Sequence, residues 1–327
     1  MKISKKAAAL ALAAGMLSSL GAQGLKDHKN MQIIDVAVKR AELELISNLV
    51  YAQPPIYGYK NKALEMDVIK PVTKEPLPAV LFVPGGGFIS SNKTKFLQPR
   101  MDIAQAGYVV AAIEYRVAPE VKFPDPLIDV KSAVRFLRAN ADRLGIDPAK
   151  IAVMGNSAGG YLAAMTGTTN GVKEFDQGEN LSESSDILAV IDIYGLSDLA
   201  KIGHGYAKEL EEEHYSASAP EGLWLNGMAT NSRTSGDVLK YPERAAKANP
   251  INYVSATTPP FLIMVGDQDK RVSPNQSELM HEALLQKGAD SKLIVVKGTD
   301  HGGPQWAQKQ ISDILIQFLD KNLKGKK

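Results

Sequence analysis

Short runs of apolar and β-branched residues recur along the chain, and between several of them the apolar positions fall at helical spacing. The runs are Leu64–Ile69, Ala79–Val83, Tyr108–Ile113, Ile151–Met154, Leu188–Ile193, Phe261–Val265 and Leu293–Val296. Most are apolar almost without interruption, which predicts strands of a parallel sheet covered on both faces. Helical patterns occupy Pro126–Asn140, Ser157–Thr168, Pro274–Gln286 and Gln305–Leu323. A leading helix is also expected over 30–50, where Ile33, Val36, Ala37, Leu43, Ile46 and Val50 keep helical spacing until Pro54 and Pro55 stop it. The expected class is therefore α/β, with a mostly parallel central sheet and helices on both faces. Neither a repeat nor a low-complexity linker divides the chain, so one domain is expected over 25–327. Residues 200–250 break the alternation with Gly, His, Glu and aromatic residues, and an insertion there can cover a site as a small cap.

Charge and composition narrow the classes of function. The 327 residues carry 38 Lys and Arg against 36 Asp and Glu, with 44% hydrophobic and 23% charged residues. No strong field favours a polyanion, so nucleic acid is not an expected partner. The chain has no cysteine, which excludes disulfides, thiolate metal sites and a cysteine nucleophile. At the N-terminus Lys2, Lys5 and Lys6 precede an apolar run from Ala7 to Leu17, followed by small and polar residues up to Gly24. That order is expected of a secretory signal peptide over 1–24, because the run is too short to span a bilayer. Cleavage there removes three lysines and no acid, leaving 35 basic and 36 acidic side chains and a net charge of −1. With no cysteine to carry a lipid, the expected mature protein is exported without a stable membrane anchor, to the periplasm or the medium.

The strongest local signal is Gly155-Asn156-Ser157-Ala158-Gly159-Gly160, placed between an expected strand and an expected helix. This is the context of the G-x-S-x-G turn, in which a serine hydroxyl projects from the sheet and glycines relieve crowding where strand and helix pass. Ser157 is the candidate nucleophile. A hydroxyl needs a base to take its proton, and a tetrahedral intermediate needs donors for its oxygen. Three glycines in Pro84-Gly85-Gly86-Gly87-Phe88 follow the strand Ala79–Val83, and the amides of Gly86, Gly87 and Ala158 are the candidate oxyanion donors. Of the histidines, His28 lies near the N-terminus, His204 and His214 in the insertion and His281 in a helical pattern, whereas His301 follows the last strand in Gly298-Thr299-Asp300-His301-Gly302-Gly303. Loops at the carboxyl ends of strands are where sites gather in open α/β sheets, so His301 is the candidate base. The orienting acid is Asp267 or Asp269, both just after Phe261–Val265. A calcium-loop reading of this stretch fails at Arg271 and Val272, no other cluster has metal-ligand spacing, and neither a metal nor a cofactor is expected.

From about Pro78 to the C-terminus the sequence resembles the esterase and lipase branch of the α/β-hydrolase superfamily. The resemblance rests on PGGGF, EYRVAPE at 114–120, the long stretch Phe123–Gly160, PPFLIMVGDQDKRVSP at 259–274 and GTDHGG. It implies Ser157 as nucleophile, Asp269 as acid and His301 as base. The middle is similar both to the hormone-sensitive-lipase-like esterases and to the feruloyl and acetyl-xylan esterase group. The C-terminal part, with Asp269, Val272, Pro274, Gln276, Ser277 and His301, is more similar to the feruloyl and acetyl-xylan esterase group. One position departs from the pattern: Pro84 stands where the family's glycine loop usually has histidine. Tyr115, Arg116 and Asp129 are read as structural, and Tyr206, Tyr215, Trp224 and Tyr241 as either packing or stacking surfaces for a sugar or aromatic acyl group. The resulting expectation is a serine esterase acting on acetyl or feruloyl groups of hemicellulose-type carbohydrate, its partner a small ester or acylated oligosaccharide. A general short-chain carboxylesterase or lipase is the alternative in the same chemistry. An inert hydrolase-fold binding module is the alternative from another class.

Overall fold

The computed structural model describes residues 29–56, 61–228 and 236–325, so the expected signal segment and His28 lie outside the described residues. The chain divides into a unit of residues 1–39, whose described part contains a turn and no regular element, and a unit of residues 40–327. In the larger unit eight strands form one sheet: β1 (Leu43–Ala52), β2 (Leu64–Pro71), β3 (Leu77–Val83), β4 (Val109–Ile113), β5 (Ile146–Asn156), β6 (Ala189–Ile193), β7 (Phe261–Gly266) and β8 (Ser291–Val296). Their order is β1-β2-β4-β3-β5-β6-β7-β8. The β1–β2 and β2–β4 pairs are antiparallel and all the others parallel, which is the α/β-hydrolase arrangement.

Why the strands read as unbroken apolar runs is visible in the packing. Along β3, Ala79, Leu81 and Val83 enter one core with α2 (Asp125–Ala139) and α4 (Ala158–Thr168), while Val80 and Phe82 enter the other with α1 (Leu97–Gln105) and α9 (Lys309–Leu319). Side chains alternate across a strand, and here both faces are covered, so neither set can be polar. Helix α2 begins with Asp125 and Pro126 and ends beside Arg138, charges and a ring that suit the two ends of its dipole. Between α2 and β5 lies the single turn α3 (Ala141–Leu144), closed by Gly145 in the left-handed region.

The leading helix expected over 30–50 is absent: 43–52 form strand β1, and the described residues before it hold no helix. The mistaken period has a physical source. Leu43, Ile46 and Leu49 are the partly covered positions of β1, and the register against β2 shifts between Ile46 and Leu49, where Asn48 has φ 57°. Leu43 packs on one side of the sheet and Ile46 and Leu49 on the other, the bulge moving the inward face by one between the last two, so the covered positions of this edge strand fall three apart.

The insertion between β6 and β7 is less irregular than its composition suggests. Its described residues hold the short helices α5 (Lys208–His214), α6 (Pro220–Asn226) and α7 (Pro242–Ala248). Gln276, at the start of α8 (Pro274–Gln286), anchors its base. The side-chain oxygen accepts from the Ser197 and Asp198 amides at 2.8 and 2.9 Å, and the amide group donates to Lys201 O at 2.9 Å.

Candidate active site

Ser157 stands at the junction of β5 and α4 with φ 56° and ψ −126°, a conformation that an L-residue holds only under constraint. Two bonds impose it: Ser157 N donates to Ile193 O on the neighbouring strand at 2.8 Å, and Tyr161 N donates to Ser157 O at 2.9 Å. The turn is so tight that a Cβ on Gly155 would lie 2.0 Å from Gly159 O, which is why glycine stands there.

The Ser157 hydroxyl oxygen lies 2.8 Å from His301 Nε2, and His301 Nδ1 lies 2.7 Å from Asp269 Oδ2. Asp269 is buried, and its other oxygen accepts from the Arg271 and Val272 amides at 2.9 and 3.0 Å. A carboxylate acting wholly as acceptor requires the proton on His301 Nδ1, which leaves Nε2 free to accept from the serine hydroxyl. The imidazole also rests on Tyr194, ring centroids 4.5 Å apart. Asp267 is outside this chain of bonds, its Oδ1 accepting from Gly298 N at 2.6 Å. Asp300 likewise turns to the backbone, accepting from His301 N and Lys270 N, and these amides hold its carboxyl below its ordinary range.

The glycine loop comes to the same point. Gly86, Gly87 and Ala158 line the cleft together with Ser157, and none of their amides donates to a backbone acceptor among the described residues. The loop is held from three sides: Gly85 N donates to Asn156 Oδ1 at 3.0 Å, Tyr115 Oη donates to Pro84 O at 2.8 Å and Lys95 Nζ donates to Gly85 O at 3.3 Å. Pro84 thus receives from Tyr115 a tether at its carbonyl. Asn156, whose side chain also donates to Tyr194 Oη at 3.2 Å, and Tyr194 itself are site residues that the sequence reading passed over. Asn156 occupies a variable position of the motif and carries no mark of its own. Tyr194 follows β6 at its carboxyl end, a location that could have flagged it.

Other residues singled out from the sequence resolve as structural. Arg116 is buried and donates through Nε and Nη2 to Asp129 at 3.0 and 2.8 Å, bracing the segment after β4. Trp224 is fully buried against Phe88, centroids 4.5 Å apart, and offers no stacking face. Tyr215 Oη donates to Ala200 O, and Tyr241 lies under Arg244 at 4.1 Å. His281 is bonded to Ser291 rather than to the site. Above Ser157 opens a cleft of about 770 Å³ whose floor is the glycine loop and the Ser157–His301 pair and one of whose walls comes from α5 and α6.

The BD-FAE family model matches residues 66–284. The chain belongs to the BD-FAE family. Among curated relatives of this BD-FAE protein, Esterase LipC of Mycobacterium tuberculosis is 32% identical over 259 residues, 77% of this chain and 60% of LipC. The chain spans roughly half of the length of the curated relatives it matches, from 60% to 45% in the first three. Among solved structures, a truncated carbohydrate esterase from gut microbiota is 27% identical with a TM-score of 0.73, over 87% of this chain and 98% of that one. Esterase Est2 of the planctomycete Thermogutta terrifontis, in a butyrate-bound form, is 26% identical with a TM-score of 0.65, over 86% and 94% of the two chains.

Proposed function

We propose that this BD-FAE protein is a serine carboxylic-ester hydrolase. The observation that carries the reading is the continuous set of bonds from Ser157 through His301 to Asp269, set beside three amides with no backbone acceptor among the described residues. In the proposed reaction the Ser157 oxygen attacks the ester carbonyl while His301 Nε2 takes its proton. The carbonyl oxygen becomes an oxyanion received by the amides of Gly86, Gly87 and Ala158. Collapse breaks the bond to the alcohol oxygen, which takes the proton from His301 and leaves an acyl-serine. Water then attacks the acyl carbon, gives its proton to His301 and releases the acid, and the proton returns to Ser157. Asp269 holds the imidazole and stabilises its cation throughout, and no cofactor enters the cycle.

For the substrate we propose an acetyl or feruloyl ester of hemicellulose-type carbohydrate. The similarity to a carbohydrate esterase supports it, as does the family resemblance of the C-terminal motifs. The similarity to a butyrate-bound esterase favours, as a second reading, a general short-chain carboxylesterase. Acetate and ferulate release from acetylated xylan and feruloylated arabinoxylan, with p-nitrophenyl acetate as control and Ser157→Ala as blank, separates the two. Release from the polymers well above the blank is expected, and activity on the small ester alone selects the second reading. Ser157→Ala is expected to fold normally and lose hydrolysis; more than a few per cent of residual turnover refutes the nucleophile assignment. Export by the segment 1–24 is proposed on the sequence alone.

A further inference from the structure

The wall of the cleft built from α5 and α6 carries a carboxylate that the proposed reaction does not use. Glu221, in the first turn of α6, is 8% exposed and lines the cleft with Ser157 and His301. Its Oε2 is sealed from solvent and has no hydrogen-bond partner among the described residues, while its Oε1 lies 3.5 Å from His214 Nδ1, too far for a good bond. Among the described residues no lysine or arginine pairs with it. Favourable charge at a helix N-terminus does not account for this arrangement, because an exposed glutamate would gain that benefit without losing its water. A buried acceptor left short of donors is costly, and such groups in native proteins call for an explanation.

The supporting structure keeps Glu221 in place. Trp224, one turn along α6, packs on Phe88 at the end of the glycine loop, and its carbonyl accepts from Phe123 N at 3.0 Å. His214 lies flat on Tyr206, centroids 5.8 Å apart, and Tyr206 Oη donates to the carbonyl of Asp269 at 3.2 Å. The carboxylate is therefore carried by elements that also touch the oxyanion loop and the loop of the acid, which is how a recognition group is held in register with reacting atoms.

We propose that Glu221, with His214 beside it, is the specificity group of the cleft and that its Oε1, the oxygen not sealed from solvent, accepts a hydrogen bond from a hydroxyl of the substrate. This rests on the esterase reading above and narrows it to hydroxyl-bearing esters. A neutral hydroxyl fits better than a cationic group, because Lys95, Lys270 and Arg271 line the same cleft and outnumber the carboxylates of Glu213 and Glu221. An O–H donated to a desolvated carboxylate is among the stronger neutral-to-charged bonds. A plain ester of the same shape leaves the carboxylate as it stands in the free protein. The donor can belong to the alcohol, as in a sugar, or to the acyl group.

Two pairs of esters distinguish these sources: methyl 2-O-acetyl-β-xyloside against cyclohexyl acetate, and p-nitrophenyl glycolate against p-nitrophenyl acetate. The readouts are kcat/KM for each and the melting temperature, in wild type and in Glu221→Leu. The expected result is a fall of about 10-fold or more in one of the two hydroxylated-to-plain ratios, with the plain ester of that pair nearly unchanged. A fall in the first pair assigns the hydroxyl to the sugar, and a fall in the second to the acyl group. The melting temperature is expected to hold or rise, since an under-paired buried carboxylate replaced by an apolar side chain is neutral to stabilising. Unchanged ratios in both pairs, including an equal loss on all four esters, overturn the proposal. Should the leucine variant not fold, Glu221→Met removes both oxygens at similar side-chain length, and an unchanged ratio there overturns it equally. Failure of wild type on all four esters, p-nitrophenyl acetate included, strikes instead at the esterase reading.

Discussion

Asp267 and Asp269 lie two positions apart on one loop, and their surroundings assign them opposite duties. Asp269 is buried with one oxygen on His301 and the other on two amides, whereas Asp267 is exposed and caps the turn at Gly298. An amide in place of the Asp269 carboxylate offers an N–H where the imidazole Nδ1–H must donate, and so favours the wrong tautomer. Asp269→Asn is therefore expected to lower kcat by on the order of 10⁴, as in other serine triads, with little effect on folding. Asp267→Asn is expected to stay within a few-fold of wild type in the same esterase assay, and the reverse ranking refutes the assignment of the acid. From residue types and chain order alone, Ser157 and His301 were legible, and the acid was narrowed to two. Spacing could go no further, because which carboxylate turns inward is decided by the backbone of the Asp269–Val272 turn. Asn156, Tyr194 and Tyr115 act through distances to residues far along the chain, and no local pattern encodes these.

At the scale of elements, the seven apolar runs all became strands, and those inside the sheet, β3 to β7, are covered on both faces and so read as nearly unbroken apolar runs, whereas β2 keeps the alternation Leu64, Glu65, Met66, Asp67. Helix α4 followed Ser157 as expected, and every one of its residues is buried, which explains why its pattern was apolar almost all round. The failure at β1 came from an edge strand whose bulge and whose covered positions on both sides together imitated helical spacing. Strand β6 carries a titratable group with a consequence for stability. Asp192 is 1% exposed, its Oδ1 accepts from Gly195 N and from no other group among the described residues, and burial pushes its carboxyl up to about 7. The folded state thus binds this proton more tightly than the unfolded chain, where an aspartate titrates near 3.9. The resulting stabilisation is fully present below about pH 4 and is lost as the pH rises through about 7. Asparagine keeps the acceptor and removes the titration, so Asp192→Asn is expected to gain melting temperature relative to wild type on going from pH 4 to pH 8. Parallel melting curves across that range would show that Asp192 is ionised throughout.

For the molecule as a whole, the sheet delivers Ser157 after β5, Asp269 after β7 and His301 after β8 to one edge, and the insertion before β7 closes a wall over them. That wall is where the choice of ester resides, since the floor holds the groups that every ester of this chemistry needs. The proposed export of the protein belongs to this scale as well. Expression of the full chain in a secreting host is expected to yield a protein whose intact mass begins near Ala22 to Gly24, with a net charge of −1. An extracted protein that retains Lys2, Lys5 and Lys6 would refute it.

By itself the sequence determined the α/β class, the alternation of most elements, the nucleophile turn and the histidine loop, because each depends on residues close together in the chain. Period, turn chemistry and glycine at points of close approach are local constraints, and they can be read locally. Tertiary structure alone decided that 43–52 pair as an edge strand and that Tyr115 tethers the loop at Pro84, and it supplied the contact of Asp269 with His301 that the family resemblance had implied. It alone placed Glu221, 64 positions from Ser157 in the chain, in the wall of the same cleft. These outcomes depend on which backbone groups are left to pair and which charges lose their water when distant segments meet, and that is settled only when the whole chain has packed.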